Sequence, residues 1–319
     1  MKPWAKALIS FAVLGLLLVV LPWPELRDAA RSAAWGVWIV VLLGFVGGHL
    51  LGVVKWRLLV NAAGASLALF TAIRCYAAGL FANLCLPTIV GGDVLRATLA
   101  GRATDRLEVV VVVGVADRLI DLAVLAVFIV GAGFMMGDLA AAGFAQVLVM
   151  TVIVGGTASA LAVPFLLWMP LRRWPRRVRR RVGRLLVSLR ALRRHPRAAV
   201  GAVLLSLSIQ GSFVSLNAWF GASIGIDVPW ITWFLVWPLA KLSGLLPVSL
   251  GGLGVRDATL AALLVPFGVP LAQGFIVSLL WQSVLIAGGL LSGALWWLSR
   301  PGDEQYLLRN AREKESTVG

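Results

Sequence analysis

Acidic residues are scarce. The 319-residue chain carries 14 Asp and Glu against 29 Lys and Arg, and charged residues of both signs together make up 13%. A soluble domain uses about a quarter charged residues to cover its surface, so water is not the solvent for most of this chain. Cysteine and histidine are also rare, at two each, which excludes a disulfide framework and a Cys/His metal cluster. Cys75 and Cys85 share an apolar stretch without metal-type spacing and read as reduced core residues. No Walker-type phosphate loop or acidic nucleotide motif occurs, and neither a cofactor nor a metal is expected. What the chain has is 60% hydrophobic residues and a mean hydropathy of +0.92, the composition of an integral membrane protein.

The formal charge of +15 would suggest nucleic acid as a partner in a soluble protein, but the basic residues lie between apolar blocks and do not form a face. Their densest run, Leu171 to Arg197, holds twelve arginines, and no acid occurs between Asp138 and Asp227. This is the signature of a cytoplasmic loop under the positive-inside rule, with a grip on anionic head groups compatible with it. The N-terminal stretch lacks a small-residue cleavage site and reads as a retained first helix.

About 20 apolar residues cross the hydrocarbon. That ruler selects six spans, at roughly 5–22, 33–54, 109–134, 145–169, 198–221 and 272–298. Lys2, Lys6, Lys55, Arg57 and the arginine run mark the cytoplasmic ends, which places both termini in the cytoplasm of a multi-pass inner-membrane protein, with a polar tail over 301–319. Two further apolar regions, about 68–104 and 231–267, are interrupted near their middles by proline and paired glycines. For the charge pattern to close, each must leave and re-enter on one side, the first from the cytoplasm and the second from outside. The expected fold is therefore all-α and polytopic, with about six transmembrane helices plus two re-entrant helical hairpins related as an inverted repeat. It forms one transmembrane domain over 1–300, with pseudo-repeats at about 1–150 and 175–300.

The two broken regions carry one pattern. NLCLPTIVGGDVLRA places Pro87, Gly91, Gly92 and Arg96, and GLLPVSLGGLGVRDA places Pro247, Gly251, Gly252 and Arg256, each pair offset by 160. An arginine in register with the proline and glycines points to internal duplication. Proline removes a backbone donor and glycine permits non-helical dihedrals, so each hairpin should break at membrane depth. Unsatisfied backbone survives there only inside protein or beside a wet cavity, and the half-helices beyond the breaks would aim positive dipole ends at that interior.

Arg96 and Arg256 sit one turn into these half-helices. They can pair within the hairpin, Arg96 with Asp93 and Arg256 with Asp257, or face a shared cavity and hold a phosphate. On the second reading Arg96, Arg256, Asp93, Asp257, Gly91, Gly92, Gly251, Gly252, Ser249, Asn83 and Lys241 are the substrate-binding candidates, with Lys241 also able to snorkel to an interface. The string ADRLIDL adds Asp117, Arg118 and Asp121 inside a span. They form either an ion network, with Arg118 reaching Asp121 at i, i+3, or the lining of a pathway.

LPTIVGGDVLRA, ADRLIDL and LPVSLGGLGVRDATL together resemble the flippase-like transmembrane domain of lysylphosphatidylglycerol synthases and its stand-alone relatives, over nearly the whole chain. The most specific element is P-x-S-x-G-G-L-G-x-R-[DE], carried by Pro247, Ser249, Gly251, Gly252, Leu253, Gly254, Arg256 and Asp257. The resemblance implies movement of a lipid between leaflets, with aminoacylated, polyprenyl-linked or glycosylated lipids as the substrate range. The synthases add a cytoplasmic aminoacyl-transfer domain, whereas here some 20 residues follow the last span. A separate lipid-synthesising enzyme is therefore expected to supply the cargo.

Two functions stay open. In the first, an anionic phospholipid or polyprenyl-phosphate-linked lipid crosses through a midplane cavity between the hairpins. In the second, the chain is a membrane-embedded glycosyltransferase or phosphatase with Glu25 or Asp28 as its acid. His49 is expected to pack rather than catalyse, and His195 lies in the basic loop. A non-transporting partner of a lipid enzyme would explain the spans but not the doubled charged breaks.

Overall fold

The structure, a computed structural model, describes residues 35–85, 91–136, 195–244 and 254–299. The expected spans at 5–22 and 145–169, most of the arginine run and the tail lie outside these residues, as do Glu25, Asp28, Pro87, Pro247, Ser249, Gly251 and Gly252.

The described residues are helical, without a strand among them. In chain order the helices are α1 (Trp35–Ala62), α2 (Leu69–Cys85), α3 (Gly91–Thr104), α4 (Leu107–Met136), α5 (Pro196–Ser223), α6 (Trp230–Ser243), α7 (Val255–Leu264) and α8 (Leu271–Leu298), with a 3-10 turn over Val265–Phe267. Four of them, α1, α4, α5 and α8, are 28 to 30 residues long and apolar enough to cross a bilayer. Their outward residues are themselves apolar: Leu43, Val127, Phe134 and Leu290 are all more than half exposed, as a surface facing lipid tails requires.

The spanning helices match four of the six expected spans, with one correction. The second span does not stop at Val54. Helix α1 runs on to Ala62, and Lys55 lies inside it with 3% of its surface exposed. Lys55 is thus a core residue and not a marker of the cytoplasmic loop. Each of the two interrupted regions forms a pair of shorter helices, α2 with α3 and α6 with α7.

The packing repeats. Helix α2 lies on α3 and α8, and α6 lies on α7 and α4. Exchanging α1–α4 for α5–α8 in order leaves the main pairings unchanged: α3 on α4 becomes α7 on α8, and α4 on α5 becomes α8 on α1, while α1 and α5 pack on each other. Within a membrane, close helix contact depends on small residues at the seam. A Cβ on Gly48 of α1 would stand 2.5 Å from the Phe213 ring of α5, and one on Gly288 of α8 would collide with the Phe45 ring of α1.

Two hydrophobic cores result. One, around Trp56, Leu59, Ala72 and Val113, surrounds the first hairpin. The other, around Phe213, Trp233, Trp237 and Trp281, surrounds the second. Between them α1, α4 and α5 each change from apolar to polar at mid-length, at His49–Lys55, Asp117–Asp121 and Ser206–Gln210. A polar band thus crosses the middle of the helix bundle, where a bilayer is driest.

Candidate functional site

The first half of the band is an ion network. Lys55 of α1 donates to Asp121 of α4 at 2.5 Å and stands 3.0 Å from Asp117, which is one turn earlier. Ser206 of α5 also donates to Asp121. Arg96 of α3, 4% exposed, reaches Asp117 at 3.5 Å and Asp93 at 3.4 Å. Its guanidinium lies between aromatic rings, 4.7 Å from the centroid of Trp56 and 5.0 Å from that of Tyr76, where cation–π attraction offsets part of the cost of burial. Arg118 takes the opposite side of Asp93, donating from Nε and Nη2 at 2.8 and 2.7 Å. Arg118 therefore pairs across helices, to α3, and not with Asp121 on its own helix as the i, i+3 spacing predicts.

Three cations and three aspartates thus meet with their charges matched. The limbs of the first hairpin are joined at Gly92, the residue next to Asp93. Asn83 near the end of α2 accepts the N–H of Gly92 at 3.1 Å, and Gly79 approaches Gly92 so closely that a Cβ on Gly79 would lie 2.9 Å from the Gly92 carbonyl. Gly91 opens α3.

The second half uses fewer charges. Arg256 of α7 stands 3.0 Å from Asp257 and donates to Gln282 of α8 at 2.7 Å. Asp257 accepts from Ser278 of α8 and, at 3.0 Å, from the backbone N–H of Gly254. Gly254 has φ +80, a conformation in which glycine avoids the penalty other residues carry. Asp257 thereby caps the helix it belongs to.

Lys241 ends α6 between the two halves. It donates to Gln210 of α5 at 2.7 Å, lies 5.7 Å from the Phe213 ring, and is within electrostatic reach of Asp121 and Arg118 on one side and Arg256 on the other. It does not snorkel. No carboxylate is within ion-pair distance of it among the described residues. His49 packs, as expected of a core histidine, among Phe45, Tyr76 and Phe213. Cys75 is buried, whereas Cys85 is exposed at the end of α2, a correction to its reading as a core residue.

Sequence reasoning missed Lys55, Ser206, Gln210, Ser278 and Gln282. Each lies in a long helix that is mostly apolar, where its partner on another helix leaves no mark in the sequence. Among the described residues no group of His, Cys, Asp and Glu could hold a metal ion. A comparison with curated proteins finds no match. Residues 4–293 match the family described as the lysylphosphatidylglycerol synthase TM region, and the chain belongs to that family.

Proposed function

We propose that the protein moves an anionic lipid between the leaflets of the cytoplasmic membrane, its head group crossing beside the two broken hairpins while the acyl chains stay in lipid. The observation that carries this is the polar band at mid-length of the spanning helices, in which Lys241 of α6, bonded to Gln210 of α5, lies within electrostatic reach of Arg118 on α4 and Arg256 on α7, and whose five cations outnumber its four aspartates by one. Buried charge at such depth is costly, and an anion passing through would relieve it.

Several features support the reading. Helices α3 and α7 are 14 and 10 residues long and start beside the breaks, so both present a positive end to the interior. Their arginines are already held by protein acceptors, so they fix each half-helix against α4 or α8, and the head group has Lys241 as its first charged partner. The basic segment 171–197 supports an arrangement with that side and both termini in the cytoplasm and with the two hairpins re-entering from opposite sides. A separate enzyme would make the lipid.

Reconstitution in liposomes with fluorescent lipids tests the reading. An anionic lipid should change leaflet faster than in protein-free vesicles, and Arg96→Ala and Arg256→Ala should slow it. Equal rates with and without protein overturn it. A covalently altered lipid in the same vesicles would identify an enzyme instead.

A further inference from the structure

Charge matching singles out one residue of the band. Of its five central cations, Lys55, Arg96, Arg118 and Arg256 stand against aspartates, while Lys241 stands against the neutral amide of Gln210. The sequence offers it no other acid, because every acidic residue besides Asp93, Asp117, Asp121 and Asp257 falls between or outside the apolar segments. A half-buried ammonium within the helix bundle, without a counter-ion, is unfavourable unless a ligand supplies one.

A second observation concerns the same place. One turn before Lys241 on α6, the indole Nε1 of Trp237, 2% exposed, has no acceptor among the described residues. Leu235–Ala240 are all buried, yet Lys241 itself keeps accessible surface at the point where α6 gives way to the proline and glycine break. Gln210 uses Oε1 to accept from Lys241, which leaves the N–H donors of its amide beside the ammonium.

We propose that Lys241 and Gln210, with the Trp237 indole, form the binding site for the phosphodiester of a singly charged lipid. The charge count sets the class. One surplus cation neutralises one negative charge. A phosphomonoester dianion or a pyrophosphate would leave negative charge facing aspartates whose cations are already engaged. A lysine, with three donors on a point charge, suits a diester that turns as it passes, because it imposes no bidentate geometry. The site stands on its own geometry, and only the lipid as the source of the phosphate rests on the function proposed above.

Native mass spectrometry of the full chain in non-ionic detergent tests it, with added phosphatidylglycerol, phosphatidic acid and phosphatidylcholine at a pH where phosphatidic acid is doubly charged. Phosphatidylglycerol should be retained over both others by about tenfold. Lys241→Gln should abolish that preference and Lys241→Arg should keep most of it. Gln210→Leu, which leaves the charge unchanged, should weaken it by a smaller factor. Size-exclusion profiles of all variants report folding.

Wild-type binding by Lys241→Gln, or tighter binding of phosphatidic acid, overturns the site. Displacement of the lipid by an equimolar amount of inorganic phosphate overturns the lipid as its source. The same variants in liposomes separate the two proposals. Lys241-dependent binding without movement between leaflets leaves the site standing and sinks transport, whereas equal movement by wild type and Lys241→Gln does the reverse.

Discussion

Arg118 of α4 grips Asp93 of α3 through two N–H···O bonds, at 2.7 and 2.8 Å, although Asp121 lies only three residues along its own helix. The two-pronged geometry is why: a guanidinium fork fits a carboxylate edge-on, and Asp121 is already taken by Lys55 and Ser206. This bond fixes the half-helix beyond the first break to a spanning helix. Asp93→Ala should lower stability in detergent by about 1–2 kcal/mol. That is less than a fully buried pair would lose, because half of the Arg118 side chain is accessible. Thermal unfolding followed by fluorescence measures it, and no change would show that the hairpin is held elsewhere.

Lys55 should matter more. Lys55→Met leaves Asp121 without its cation and Asp117 with Arg96 alone, in a site that is largely buried, at an expected cost of about 3–5 kcal/mol. The double variant Lys55→Met with Asp121→Asn removes the charge orphaned at Asp121 and should recover part of the loss. A double-mutant cycle in thermal unfolding reads the coupling, and additive losses would contradict the pairing.

Two glycines make a controlled contrast. A Cβ on Gly92 would strike the Gly79 carbonyl and the Asn83 amide, which cannot withdraw without parting α2 from α3. Gly92→Ala should cost about 3 kcal/mol. A Cβ on Gly47 meets nothing within 4 Å, so Gly47→Ala should be neutral or slightly stabilising through helix propensity. Similar melting temperatures for the two variants would refute the close approach.

Topology is open to direct measurement. In a background with Cys75→Ala and Cys85→Ser, the exposed positions in Ala103→Cys and Val265→Cys should react with a membrane-impermeant maleimide from opposite sides. Labelling of both from one side would remove the inverted arrangement.

Much of this was legible in the sequence. Spanning helices declare themselves because lipid demands about 20 apolar residues, and α4, α5 and α8 end within a few residues of where hydropathy places them. The interrupted regions betray themselves by Pro and paired Gly. Lys55 was misplaced because a basic residue at the end of an apolar run looks like a loop residue, and the aspartates that offset its burial lie on another helix, more than 60 residues away. The partner of Arg118 was misjudged because spacing along one helix cannot register a neighbouring helix. Gln210 and Ser206 were passed over because α5 carries serines on several faces, Ser208, Ser212 and Ser215 among them, and their spacing does not tell which face meets α4 and α6.

Each hairpin leans on a spanning helix from the other half of the chain, α2 on α8 and α6 on α4. This sets an order of assembly during synthesis. Helix α4 is made before α6 and can receive it at once, but α2 must wait in the membrane for about 190 further residues before α8 emerges to cover it. A ribosome that stalls before α8 would leave the first hairpin with an open flank, a form that quality-control proteases could recognise.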